Sequence, residues 1–90
     1  MNQTVISSFA NATRLKILIC LKGGNKNVTE LIGNCGLSQS AVSQHLEKLK
    51  KAGLIDGIKN GREMIYRLKI RKSGEIAKSL LKLAEGVEKA

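Results

Sequence analysis

One stretch constrains the fold more than any other: residues 37–54, LSQSAVSQHLEKLKKAGL. Val42, Leu46 and Leu49 recur at helical spacing and define a single apolar stripe. Ser38 ahead of them is suited to N-cap a helix, and Leu37 is placed to staple onto Val42. Gly53 sits just past the last turn, where a left-handed residue commonly ends a helix. The opposite face of the first two turns carries Gln39, Ser40, Ser43 and Gln44. A merely solvated helix would carry more Glu and Lys there. Short hydroxyls and amides bond base edges and phosphate oxygens.

The preceding residues read as supports for this helix. Val5, Ile6 and Phe9 form one apolar side of a short helix within Met1 to Ala10. Asn11 suits the cap of a second helix, Ala12 to Lys22, ended by Gly23 and Gly24. Its centre, Ile17-Leu18-Ile19-Cys20-Leu21, is apolar all round and should be the buried central helix. Asn27-Val28-Thr29-Glu30 has the form of a capping box opening a third helix through about Cys35, with Leu31 and Ile32 inward. Gly36 then makes the turn. Helix, turn, helix is a helix-turn-helix unit with Ser38–Ala52 as its second member.

Beyond it, Lys59-Asn60-Gly61-Arg62 places Asn-Gly between two strand-like runs, a hairpin signal that predicts a type I′ turn. Met64, Tyr66, Leu68 and Ile70 alternate with Ile65, Arg67 and Lys69, so one face should pack and the other stay largely wet. A two-stranded ribbon must lean on the helices, and its basic tip, Lys59 to Arg62, projects as a wing. Arg62 is then either a minor-groove or phosphate contact or an ordinary charged turn tip. The last segment, Ser73 to Ala90, reads as a helix with Ser73 and Glu75 in its first turn. Ile76, Leu80, Leu83 and Val87 form its apolar stripe, widened by Ala77, Leu81 and Ala84. So wide a band is best covered by the same helix of a second chain in an isologous twofold interface, joined by Val5, Ile6 and Phe9. The alternative is that it packs back on its own domain.

Charge sharpens the picture. The formal net charge is +9, and residues 38–72 contribute +6 of it, residues 1–37 +3 and residues 73–90 zero. The excess coincides with the polar helix and the hairpin, where Lys48, Lys51, Lys59, Asn60 and Arg62 sit, as a phosphate-binding footprint would. Residues 1–90 make one domain. No apolar run reaches membrane-spanning length, and the start MNQTVISSFANATR lacks the order of a signal peptide, which points to the cytoplasm and no membrane partner. An enzyme is disfavoured: no triad is recognisable, no Gly-rich phosphate loop follows a strand, and the lone histidine has no evident orienting acid.

The strings Ala12-Thr13-Arg14-Leu15-Lys16-Ile17-Leu18, Val28-Thr29-Glu30-Leu31, Leu37-Ser38-Gln39-Ser40-Ala41-Val42-Ser43-Gln44-His45-Leu46, Ala52-Gly53-Leu54 and Gly61-Arg62-Glu63-Met64-Ile65-Tyr66 resemble the ArsR/SmtB family of repressors. The resemblance runs over nearly the whole chain. It implies a mainly α fold with a small β-hairpin, a winged helix-turn-helix in the order α-α-α-α-β-β-α, dimerised through its terminal helices. It also implies that Gln39, Ser40, Ser43, Gln44 and His45 line a face for double-stranded operator DNA, that the operator is pseudo-palindromic, and that an inducer releases it. The residues name no inducer.

Sensing is where the sequence departs from the family's best-known members. Val28-Thr29-Glu30 holds no Cys-x-Cys pair, and residues 73–90 hold no histidine. One imidazole supplies neither metal site, so no metal or other cofactor is expected. Cys20 and Cys35, fifteen positions apart, form no metal or redox motif. Core packing is the leading reading for Cys20. The resemblance adds thiol sensing through Cys20, with Cys35 as partner only if the fold brings the sulfurs within reach. A winged-helix protein-interaction module for an acidic partner is the remaining alternative.

Overall fold

Asparagine and glycine punctuate the chain. In the computed structural model, which describes residues 3–89, the elements run α1 (Gln3–Ser8), α2 (Ala12–Lys22), β1 (Lys26–Asn27), α3 (Val28–Cys35), α4 (Gln39–Lys51), β2 (Ile55–Asn60), β3 (Glu63–Leu68) and α5 (Arg71–Lys89). Met1, Asn2 and Ala90, assigned from the sequence to the terminal helices, lie outside the described residues. The Asn11 side chain accepts from the Arg14 amide at 3.1 Å and caps α2. Asn27 and Glu30 close the expected capping box reciprocally, at 2.7 Å and 3.0 Å.

Gly36 ends α3 in the left-handed region, at φ 68°. Gly53 does the same after α4, at φ 80°. There the Leu54 amide donates to the Leu49 carbonyl (3.1 Å) and the Gly53 amide to the Lys50 carbonyl (3.0 Å), the two bonds of a Schellman ending.

The core gathers around α2, which packs against α3, α4, α5 and β3. Ile17, Leu18, Leu31, Val42, Leu46, Leu49 and Ile55 are its most deeply buried large members, and Leu37 is buried with them. Tyr66 and Leu68 lean on this core from β3.

Five local expectations change. The sheet has three antiparallel strands in the order β1-β3-β2, because Lys26 and Asn27 pair with Tyr66 and Ile65. That pairing covers Ile65, which is half-buried rather than wet. Ile70 lies past the strand and is exposed. The hairpin turn is centred on Gly61 and Arg62, since Asn60 pairs with Glu63. Only Gly61 takes positive φ, 65°, which is the sign pattern of a type II′ turn and not of I′. This register sets Gly57 opposite Tyr66, where a Cβ would stand 3.3 Å from the Tyr66 ring and 3.0 Å from the Met64 sulfur. It also aligns Asp56 with Arg67 for an ion pair at 3.2 Å. Finally, α5 begins two residues early. Ser73 is not its cap but is buried, donating to the Ile70 carbonyl at 2.6 Å.

Candidate nucleic-acid interface

Helix α4 is fixed by its inner stripe. Val42, Leu46 and Leu49 are each 0–1% exposed, so the helix cannot roll without opening the core. Gln39, Ser40, Ser43 and Gln44 consequently stay exposed. Ser38 occupies the N-cap position but makes no side-chain cap bond; its Oγ pairs instead with Ser40 Oγ at 2.9 Å. The first amides of α4 therefore receive no oxygen from Ser38. A groove between α1 and α4 brings Ser43, Gln44, Glu47, Lys48 and Lys51 together with Thr4.

The wing is held at its base. Asn27 Nδ2 donates to Glu63 Oε1 at 3.0 Å, tying the start of α3 to β3, and Arg62 lies in the groove beside Val28 and Thr29. Lys59, Asn60 and Arg62 are exposed at the tip. Among the described residues the ion pairs are Arg67 with Asp56 and Lys72 with Glu75, at 3.2 Å and 3.3 Å, and neither uses these wing cations.

His45 stands apart from the exposed row. It is half-buried, and Arg14 Nη1 approaches its Nδ1 at 3.2 Å. Desolvation, then the charges of Arg14 and Lys48, hold its pKa below the ordinary value. Arg14 also donates to the carbonyls of Ser7 (2.9 Å) and Ser8 (3.1 Å). Nothing local in the sequence announces the contact of Arg14 with His45, which lies thirty-one positions away.

On α5 the expected single stripe divides. Ala77 is buried and Leu81 partly so, while Ile76, Leu80, Leu83 and Val87 are 36–68% exposed. Ile6 on α1 is also exposed, whereas Val5 and Phe9 pack partly against their own core.

Cys20 and Cys35 are joined as a disulfide between α2 and α3, with Cα atoms 6.2 Å apart. Cys20 packs partly against the core, as expected, but its thiol is not free: the helices approach closely enough to pair two thiols with no sequence motif between them. The bond borders an open apolar groove lined by Lys16, Ile19 and Leu81. With both sulfurs paired and the imidazole engaged by Arg14, the chain's soft donors do not fit either family metal site. Among the described residues no three His, Cys, Asp or Glu side chains converge as ligands. No helix there is long and apolar enough to cross a membrane.

Residues 11–56 match the family model described as "Bacterial regulatory protein, arsR family". The chain belongs to the arsR family. The matched segment spans α2, β1, α3 and α4 and reaches the start of β2, so the family's shared part is the helix-turn-helix and its central support. The chain is 38% identical over 64 residues to the transcriptional repressor SmtB of Mycobacterium tuberculosis and 39% identical over 64 residues to the transcriptional activator HlyU of Vibrio cholerae. Each match takes in 71% of this chain but 47% and 59% of those proteins, so the chain spans about half the length of these curated relatives. The fold is similar to solved HlyU from Vibrio cholerae, with a TM-score of 0.74 at 34% identity over 89% of this chain and 87% of that one. It is also similar to a homodimeric winged helix-turn-helix DNA-binding domain from Mycobacterium bovis, with a TM-score of 0.75 at 25% identity over 92% of this chain and 77% of that one. Members of the arsR family are regulators rather than enzymes, and the winged helix-turn-helix is their architecture.

Proposed function

We propose that this protein is a sequence-specific DNA-binding transcriptional repressor that works as a homodimer on a pseudo-palindromic operator. The observation that carries the reading is the α4 surface: four uncharged polar side chains, Gln39, Ser40, Ser43 and Gln44, exposed on a helix whose other face is locked in the core. Amides and hydroxyls so held read base edges in the major groove. Lys48, Lys51, Lys59 and Arg62 neutralise phosphates, and Asn60 sits with them at the wing tip. The dimer contact is formed by α5 and α1, covering Ile6, Ile76, Leu80, Leu83 and Val87, with Val5 and Phe9 behind them; the homodimeric Mycobacterium bovis domain supports pairing of two copies. Repression follows from occupying a promoter against polymerase.

The test is a salt series on a selected duplex. Affinity should fall log-linearly with salt. Gln39→Ala and Ser43→Ala should each lower discrimination against a mismatched site by about 1–3 kcal/mol while leaving the salt slope unchanged. An acidic protein partner in place of DNA would leave mismatched and matched duplexes bound alike.

A redox-responsive version is favoured by one observation, the Cys20–Cys35 bond between the central helix and the first helix of the reading unit. Reduction frees α3 from α2 and alters operator affinity. Cys20→Ser with Cys35→Ser should abolish any response of DNA binding to oxidant; an unchanged response would remove this version and leave the repressor reading intact.

A further inference from the structure

Arg14 reaches out of α2 to two other elements. Its Nη2 and Nε donate to the carbonyls of Ser7 and Ser8, at the end of α1, and its Nη1 lies 3.2 Å from His45 Nδ1 on α4. The Ser7 carbonyl also accepts from the Ala10 amide at 3.1 Å, and the guanidinium adds to the capping of this helix end. A guanidinium only donates, so Nδ1 must accept and the imidazole must be neutral with its proton on Nε2. His45 follows directly on Ser43 and Gln44, in the turn proposed to read bases.

We propose that Arg14 and His45 form an acid-sensitive latch, which holds the end of α1 beside the reading face of α4 and releases when His45 is protonated. Arg14 is thus a positioning residue, and the inference rests on the DNA-binding reading above. Protonated Nδ1 has no lone pair to offer, and the imidazolium then faces Arg14 from α2 and Lys48 one turn along α4. Helix α1 contributes no charged side chain between Gln3 and Ser8 to offset them. Burial and these two cations hold His45 below the 6.5 of a free imidazole. Its contribution to folding is therefore complete above 6.5 and is lost as pH falls through the lower folded value. His45 is the chain's only histidine, so no other side chain has its ordinary titration between about pH 5 and pH 7.

The experiment measures affinity for a duplex enriched from a random pool, at neutral pH and near pH 5.5, for the wild type, His45→Asn and Arg14→Gln. Asparagine presents an oxygen where Nδ1 stood and does not titrate. Wild-type affinity should fall about fivefold on acidification, the equilibrium worth of one hydrogen bond. His45→Asn, whatever its affinity at neutral pH, should keep that affinity unchanged in acid. Arg14→Gln should bind weakly at both. Affinity that rises in acid, with His45→Asn weaker throughout, would overturn the latch and make His45 a phosphate contact; a flat wild-type profile would overturn it as well. If circular dichroism shows Arg14→Gln unfolded, the His45→Asn comparison decides alone. If no variant prefers any duplex, the DNA-binding reading has failed. The latch is then judged by NMR titration of the His45 ring, whose pKa must rise in Arg14→Gln, and equal values in the two proteins would refute it.

Discussion

Helices α4 and α5 are built on opposite plans. In α4 every large aliphatic side chain, Val42, Leu46 and Leu49, is sunk in the core, and amides, hydroxyls and lysines face out. In α5 the buried residues are small, Ser73, Gly74 and Ala77, while Ile76, Leu80, Leu83 and Val87 face out. One chain thus completes α4 but leaves α5 half covered. The small inner face lets α5 lie close on α2, with the would-be Cβ of Gly74 only 2.8 Å from Lys22 Cβ. The large outer face has the composition of an interface core, bordered by Lys72, Glu75 and Ser79. Polar display on a rigid helix suits a ligand that is bound and released; apolar display suits a copy that stays.

The largest effect expected from this contrast comes from Leu80→Glu combined with Leu83→Glu. Charge on the outer face of α5 should yield monomers by sedimentation and weaken operator binding by about a hundredfold, because the second half-site is no longer held at high effective concentration. Retained dimers would break the comparison.

Next, the two faces of α5 should respond with opposite sign to the same change. Gly74→Ala meets Lys22 Cβ and, at 3.2 Å, the Leu18 carbonyl, and should cost about 1–3 kcal/mol in thermal unfolding. Gly86→Ala meets nothing within 4 Å and should stabilise by less than about 1 kcal/mol through helix propensity. A destabilised Gly86→Ala dimer would sharpen the account by placing the partner's backbone against that position.

The smallest effect belongs to the wing. Lys59→Ala and Arg62→Ala should each reduce the salt slope of DNA binding by about one while leaving sequence preference alone. A change of preference at one base position would promote Arg62 from phosphate neutraliser to groove reader.

What could be read from residues alone follows the range of the forces involved. The Asn27–Glu30 box, the Gly36 and Gly53 endings and the α4 stripe are local devices, and the chain spells them out within a few positions. Strand β1 escaped because two residues have no periodicity; its existence depends on Tyr66 and Ile65 arriving from the far side of the chain. The turn lies one residue later because the register is a property of the whole β2–β3 ladder, in which Gly57 faces Tyr66 and Asp56 faces Arg67, and not of the Asn-Gly pair alone. Ser73 reads as a cap, yet Arg71 and Lys72 continue the helix ahead of it and the hydroxyl turns inward. For the site, the exposed row on α4 was legible from composition. The Arg14–His45 contact and the Cys20–Cys35 bond were not, since both depend on how α2 approaches its neighbours.

The central claim is that two copies present paired α4 helices to one duplex. Selection of bound sequences from a random duplex pool tests it most directly. The account predicts an inverted repeat whose half-site centres lie about one helical turn, or a multiple of it, apart. Enrichment of a single unpaired motif, or of none, would contradict it.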